Sequence, residues 1–277
     1  MNTYSINETK TQKRKKVRIQ DILAAKGTRL LTSLTCYDAS FAKIFEQTDL
    51  DLILVGDSLG HTMQGKSTTI TVTLDELAYH TSCVAKALHT PFLITDMPFA
   101  TPCHVPQNVM QSAAQLIRCG AEAVKIEGAS EQICENIQFL TSHGIPVMGH
   151  IGLIPQSIHT LSGYKIQGKT IQDQERLVNE ALKLQAAGCF AIVLELVEPK
   201  TAAVVTNALH IPTIGIGSGE LCDGQILVCH DMLGMTPDFR PKFLKHYLNL
   251  EQLIKKAVNE YCYEVTSRQF PAPPESL

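Results

Sequence analysis

The feature that most constrains this chain is an alternation. From about residue 28 onward, short apolar runs trade places with stretches that carry helix signals, and eight such runs can be placed, at 30–34, 50–56, 91–95, 121–126, 145–149, 189–194, 211–216 and 226–229. The runs are apolar at successive positions, so they predict strands with both faces covered, as in a parallel sheet under helices. The segments between them read as helices. Thr73-Leu74-Asp75-Glu76 has the form of a capping box, followed by Leu77, Thr81, Val84 and Leu88 along one stripe. Pro106 suits a first helical position, Val109, Ala113, Leu116 and Ile117 share a face, and Gly120 can close the helix. Similar stripes end at Gly144 and Gly188, each followed almost at once by an apolar run. That is the short connection of a repeating β/α unit.

Eight such units over about 240 residues have the size of a (β/α)8 TIM barrel, a parallel eight-stranded barrel with outer helices. An open doubly wound sheet is the competing architecture, but no G-x-G-x-x-G opens a first helix. No linker interrupts the repeat. The organisation expected is therefore a basic N-terminal arm and lead-in over 1–27, then a single barrel domain over 28–277 that ends in a helix at about 242–266 and a short tail.

Composition supports a globular chain. The sequence is 277 residues long, 44% hydrophobic and 18% charged, with a net charge of −3. Intrinsic disorder is excluded by that balance. No apolar run approaches the ~18 residues of a spanning helix, so no membrane role is expected. In the first 18 residues, Lys10, Lys13, Arg14, Lys15, Lys16 and Arg18 face only Glu8, which gives +5 and leaves −8 for the rest. An acidic body is a poor partner for nucleic acid, and the arm is expected to be solvated and mobile. Nine cysteines without a C-x-x-C argue against a disulfide frame and for a reducing compartment.

The chemistry lies at the carboxyl ends of the runs, which line the mouth of such a barrel. These ends read Tyr37-Asp38, Asp57-Ser58, Asp96, Lys125 with Glu127, His150, Glu195, the glycines of GIGSG (215–219) and His230-Asp231. A single acid there is ordinarily a helix cap. Four acids on four ends, Asp57, Asp96, Glu127 and Glu195, call for a cation or shared protons, since like charges in one cavity repel. Hard carboxylate oxygens point to Mg2+ before zinc. Lys125 and Glu127 stand two apart and point to one face, where the lysine forms an ion pair or holds a substrate carboxylate. GIGSG either cradles a phosphate or packs closely at a strand end. A 2-oxo acid chelated to Mg2+, with a free carboxylate as base, is one reaction these parts can run.

The blocks LTCYDASFAKIFEQ (34–47), LVGDSLGHTMQG (54–65), TVTLDELAYHT (71–81), TDMPF (95–99), AVKIEG (123–128), VMGHIGLIPQS (147–157), GYKIQG (163–168), VLELV (193–197), IPTIGIGSGELCDGQILVCHDMLG (211–234) and PKF (241–243) resemble the ketopantoate hydroxymethyltransferase family. The resemblance implies transfer of a one-carbon unit from 5,10-methylenetetrahydrofolate to 3-methyl-2-oxobutanoate, giving 2-dehydropantoate on the route to pantothenate and coenzyme A. It implies a Mg2+ sphere of Asp57, Asp96 and Glu127, the last directly or through water. It further implies substrate contacts from Asp57, Ser58, Asp96 and Lys125, with Glu195 as proton acceptor and His150 near the product hydroxyl. A cytoplasmic, ring-shaped homo-oligomer, often a decamer, is the family's usual state. The chain departs from the family pattern at ATPCHV after DMPF, at Ile154 and at Ser162. Two alternatives stay open. One is a C–C lyase or mutase of the isocitrate lyase and phosphoenolpyruvate mutase type, whose K-[KR]-C-G-H loop is replaced here by QGKSTTITVT. The other is a non-catalytic barrel binding protein.

Overall fold

In the computed structural model, which describes residues 14–157, 165–236 and 239–272, eight strands close into one parallel barrel in chain order. They are β1 (Leu31–Thr35), β2 (Leu52–Val55), β3 (Phe92–Asp96), β4 (Ala123–Glu127), β5 (Val147–Gly152), β6 (Ala191–Glu195), β7 (Thr213–Ile216) and β8 (Gly224–Leu227). The helices are α1 (Ile19–Ala25), α2 (Ala39–Phe45), α3 (Leu59–Thr62), α4 (Leu74–Ala85), α5 (Pro106–Arg118), α6 (Glu131–Ser142), α7 (Ile171–Ala186), α8 (Pro199–Ala208), α9 (Cys229–Met232) and α10 (Leu250–Thr266). The (β/α)8 barrel expected from the alternation is the one observed. Thr73 and Glu76 cap α4 reciprocally, Pro106 opens α5, and Gly120, Gly144 and Gly188 take positive φ after their helices.

The two-sided apolar runs divide their residues between two cores, because successive strand side chains point in opposite directions. Ile53, Val55, Leu93, Val124, Ile126, Val147, Ile151, Ile192 and Leu194 lie in one buried cluster with helix residues such as Leu77, Val109, Leu116, Ile137, Leu184 and Val205. Leu52, Leu54, Phe92, Ile94, Ala123, Met148, Ala191, Val193, Ile214 and Ile226 fill the barrel itself. The amino end of that inner core is closed by Val17, Ile22 and Ala25.

Residues 14–18 correct the expectation of a mobile arm. Arg14 donates to the carbonyls of Thr48 and Leu50, Lys16 to that of Pro91, and the Val17 amide to that of Thr90. Arg14 also lies 3.6 Å from Asp51, whose carboxylate accepts two hydrogen bonds from Arg29. The basic residues thus find acids and strand-start carbonyls at the base of the barrel. Residues 1–13, with Lys10 and Lys13, lie outside the described part.

Two element boundaries also differ from expectation. The eighth strand starts at Gly224 and ends before Cys229, because it pairs with β1 from Leu31 onward and Cys229 already opens α9. A Cβ at Gly224 would stand 2.5 Å from the Leu31 carbonyl oxygen, which leaves glycine alone able to hold that register. The last helix begins at Leu250 rather than near 242. Amides of Tyr247 and Leu250 bind carbonyls of Met232 and Leu233, and Asn249 caps the helix. Helix α10 buries none of its residues. Among the described residues, no helix is long and apolar enough to cross a membrane.

Ile22 is fully buried against the inner core, whereas its neighbour Leu23 is 38% exposed. Ile22→Ala is expected to lower unfolding stability by about 2–5 kcal/mol. Leu23→Ala should stay within about 0.5 kcal/mol. Urea titration of both variants checks whether the N-terminal segment seals the barrel, and equal losses would contradict it.

Candidate active site

The inner face of the barrel is apolar for two layers and then turns polar. Phe92 and Ile94 are followed at the same spacing by Asp96, Ala123 by Lys125 and Glu127, Met148 by His150, and Ala191 and Val193 by Glu195. The register sets these polar ends side by side, pairing Asp96 with Lys125 and Glu127 with His150. Asp57 stands two residues beyond the end of β2, after Gly56, and opens the turn into α3. The preceding Gly56 has no room for a side chain, since a Cβ there would lie 2.9 Å from the Ser58 hydroxyl and 3.4 Å from Asp96 Oδ2.

Carboxylate oxygens of Asp57, Asp96 and Glu127 lie within 4.8 Å of one another, and all three residues are buried. Lys125 stands among them, 2.9 Å from Asp96 Oδ1 and 3.2 Å from Glu127 Oε1, so it is an interior cation rather than a rim residue. The Asp57 amide donates to Asp96 Oδ2 at 2.9 Å. Asp96 Oδ1, although close to the lysine, accepts no aligned hydrogen bond and is shut off from water. Glu195 is set apart from the three. It lies beyond His150, whose Nε2 is 3.4 Å from Glu195 Oε2 and donates to the Leu153 carbonyl at 3.0 Å. The Ser58 hydroxyl is bonded to the Tyr37 hydroxyl at 2.8 Å.

The protonation pattern expresses a shortage of positive charge. Burial, reinforced by the charges of Glu127 and Asp96, pushes the Asp57 carboxyl up to about 8. Burial also raises Asp96 in spite of Lys125. Burial would raise Glu127 as well, but Lys125 and His150 outweigh it and hold that carboxyl at about 2. Burial opposes charge on Lys125, yet the three acids keep its pKa above the ordinary lysine range. For His150, burial and Lys125 favour the neutral ring, while the carboxylates of Glu127 and Glu195 prevail and move it up to about 9. A dry cluster of hard oxygens, with one carboxyl forced to hold a proton, matches what a divalent cation requires.

Other strand-end residues have structural work. Asp38 caps α2 through the amides of Ser40 and Phe41. His230 sits against the rings of Tyr37 and Phe41, and Asp231 accepts from Thr236. In GIGSG, the Ser218 hydroxyl donates to the Leu194 carbonyl and accepts from the Val197 amide. The space beside Gly217 is taken by Leu196 and Phe243, and that beside Gly219 by Pro199. Close packing, not a phosphate cradle, accounts for those glycines. Ser162 lies outside the described residues.

One residue at the site escaped the reading of strand ends. Gln156, in the turn after β5, donates from Nε2 to Asp57 Oδ2 at 3.0 Å and to the Met97 carbonyl at 3.2 Å. It belongs to the block VMGHIGLIPQS but carries no charge and ends no strand, so neither signal marks it.

Comparison with known proteins places this architecture. Residues 16–273 match the family model described as ketopantoate hydroxymethyltransferase. A 3-methyl-2-oxobutanoate hydroxymethyltransferase of Nitrosomonas eutropha is 46% identical over 254 residues, covering 92% of this chain and 93% of that protein. The protein of the same name from Leptospira interrogans is 43% identical, covering 91% and 96%. Among solved structures, a phosphonopyruvate hydrolase in complex with oxalate and Mg2+ superposes with a TM-score of 0.64 at 14% identity, covering 94% of this chain and 93% of that one. A 2,3-dimethylmalate lyase of the PEP mutase/isocitrate lyase superfamily does so with a TM-score of 0.57 at 15% identity, covering 94% and 91%. At that identity the likeness concerns the fold alone. Sequence kinship over more than nine-tenths of the chain goes further, and the chain belongs to the ketopantoate hydroxymethyltransferase family of enzymes.

Proposed function

We propose that this enzyme transfers a hydroxymethyl unit from 5,10-methylenetetrahydrofolate to 3-methyl-2-oxobutanoate, forming 2-dehydropantoate, with Mg2+ held by Asp57, Asp96 and Glu127. The observation that carries the reading is the group of three buried carboxylates within 4.8 Å, facing the single ammonium of Lys125. When bound, Mg2+ supplies a Lewis acid that polarises the carbonyl of a 2-oxo acid and makes the neighbouring C–H more acidic. Lys125, together with Asp96 and the Ser58 hydroxyl, contacts the 2-oxo acid and fixes which carbon faces the base. Glu195, at the edge of the mouth and outside the ion cluster, takes the proton from C3. Water takes the methylene carbon from the folate as formaldehyde, both C–N bonds breaking and the two nitrogens of tetrahydrofolate receiving the protons of that water. The electron pair left at C3 then attacks the formaldehyde carbon, its C=O bond opens, and the resulting alkoxide takes the proton held by Glu195 to become the product hydroxyl. His150, beside Glu195, stands where it can orient the base and meet the product hydroxyl. A lyase mechanism lacks its usual means, since residues 64–73 contain no cysteine.

The same reading includes assembly and location. A homo-oligomer is supported by α10, where Ile254, Val258, Tyr261 and Val265 form an exposed apolar stripe. A cytoplasmic setting is supported by nine cysteines that are all unpaired.

Two outcomes are expected. Glu195→Gln should slow C3 proton exchange of 3-methyl-2-oxobutanoate in D2O by about 100-fold or more while divalent-ion binding persists. Proton NMR follows the exchange, and a wild-type rate would remove Glu195 as the base. Second, ion binding must displace the proton that Asp57 holds with its pKa near 8. A carboxyl with a raised pKa gains its ligand form only as pH rises through that value. Mg2+ affinity should therefore climb about tenfold per unit below pH 8 and level off above it. Calorimetric titration between pH 6 and 9 checks this, and a flat profile would contradict the role of Asp57.

A further inference from the structure

We infer that Gln156 is a positioning residue for the ion site, setting the direction in which Asp57 presents its carboxylate; this rests on the reading of Asp57, Asp96 and Glu127 as ion ligands. Both amide hydrogens of its side chain are committed. One goes to Asp57 Oδ2, the other to the Met97 carbonyl. That carbonyl is a fixed point, because the Met97 amide is itself bonded to the carbonyl of Lys125 on β4. Asp57 Oδ2 is therefore tied through one rigid amide to the backbone that carries two other members of the site. The Asp57 amide, in turn, holds Asp96 Oδ2. Gln156 and the Asp57 backbone thus occupy Oδ2 on each aspartate, so that Asp57 Oδ1 faces the cation and Asp96 Oδ1, 2.9 Å from the Lys125 ammonium, is shared between that lysine and the cation.

The loop that delivers Gln156 is built for a fixed reach. Gly152 turns the chain at φ +99°, where a Cβ would stand 2.3 Å from the Glu195 carbonyl oxygen. Leu153 then binds that same carbonyl through its amide at 2.8 Å and accepts from His150 through its own carbonyl. Pro155 opens the short 3-10 turn in which Gln156 lies, 6% exposed. Its backbone amide approaches Glu127 Oε2 at 3.5 Å. One loop is thereby fastened to the strand of the proposed base and touches two of the three carboxylates, Asp57 and Glu127. A glutamine suits this place because it donates without adding charge to a cluster already short of cations. A partner that orients an ion ligand typically changes affinity by about 10- to 100-fold when removed.

The test is direct Mn2+ binding to the substrate-free protein by electron paramagnetic resonance, in wild type, Gln156→Leu, Gln156→Met and Asp57→Asn. The inference expects Mn2+ dissociation constants about 10- to 100-fold weaker in both Gln156 variants, with the melting temperature of the ion-free protein unchanged. Wild-type affinity in a folded Gln156 variant, alongside lost binding in Asp57→Asn, overturns the role of Gln156 and leaves the ion site standing. Absence of Mn2+ binding in the wild type overturns both. Should neither Gln156 variant fold, a crystal structure of the Mn2+-loaded wild type decides. A retained bond from Gln156 Nε2 to Asp57 Oδ2 supports the inference, and a broken one overturns it.

Discussion

Excess negative charge buried at the mouth of the barrel is the constraint on which the rest of this structure turns. Three carboxylates share a dry space with Lys125 and the ring of His150, and removing water multiplies both their repulsion and the value of any further cation that enters. Such a cluster persists only if the scaffold holds it against its own electrostatics. The parallel barrel does so through backbone register: Asp96 lies beside Lys125 and Glu127 beside His150 because β3, β4 and β5 pair in those steps. The inner apolar layers of Phe92, Ile94, Ala123 and Met148 bury the strands beneath and supply the stability that the mouth gives up.

The two ends of the barrel show the contrast within a single residue type. At the base, Asp51 is surrounded by donors from Arg29 and Thr32, which overcome burial and lower its pKa. At the mouth, Asp57 receives a donor from Gln156 but faces two other acids, and its pKa is raised to about 8. One aspartate is satisfied by the chain alone, while the other is left among like charges, as the proposed cation site requires. This division between a base that stabilises and a mouth that reacts is the general plan of such barrels. Here it can be read from the partners of two side chains.

Much of this was legible in the sequence, and for physical reasons. Strands covered on both faces must be apolar throughout, so the eight runs stood out, and the first polar residues after them marked the mouth. The spacing of Lys125 and Glu127 placed both on one face, where the structure has them. Signals weakened wherever a residue acts through its surroundings. Gln156 is neutral and sits on a turn, so only its two hydrogen bonds disclose it. The start of β8 depends on pairing with Leu31, a contact remote in sequence, and the start of α10 depends on contacts with α9. Arg14 and Lys16 read as a solvated arm because their partners, Asp51 and the strand-start carbonyls, become neighbours only when the barrel closes.

The central claim is that the three carboxylates meet around one divalent cation. Anomalous diffraction from crystals grown with Mn2+ tests it most directly. The account predicts a single strong peak per chain at the barrel mouth, within about 2.2 Å of carboxylate oxygens from Asp57 and Asp96 and in contact with Glu127 directly or through one water. A mouth without a peak, with Lys125 still bridging Asp96 and Glu127 at saturating Mn2+, would contradict it.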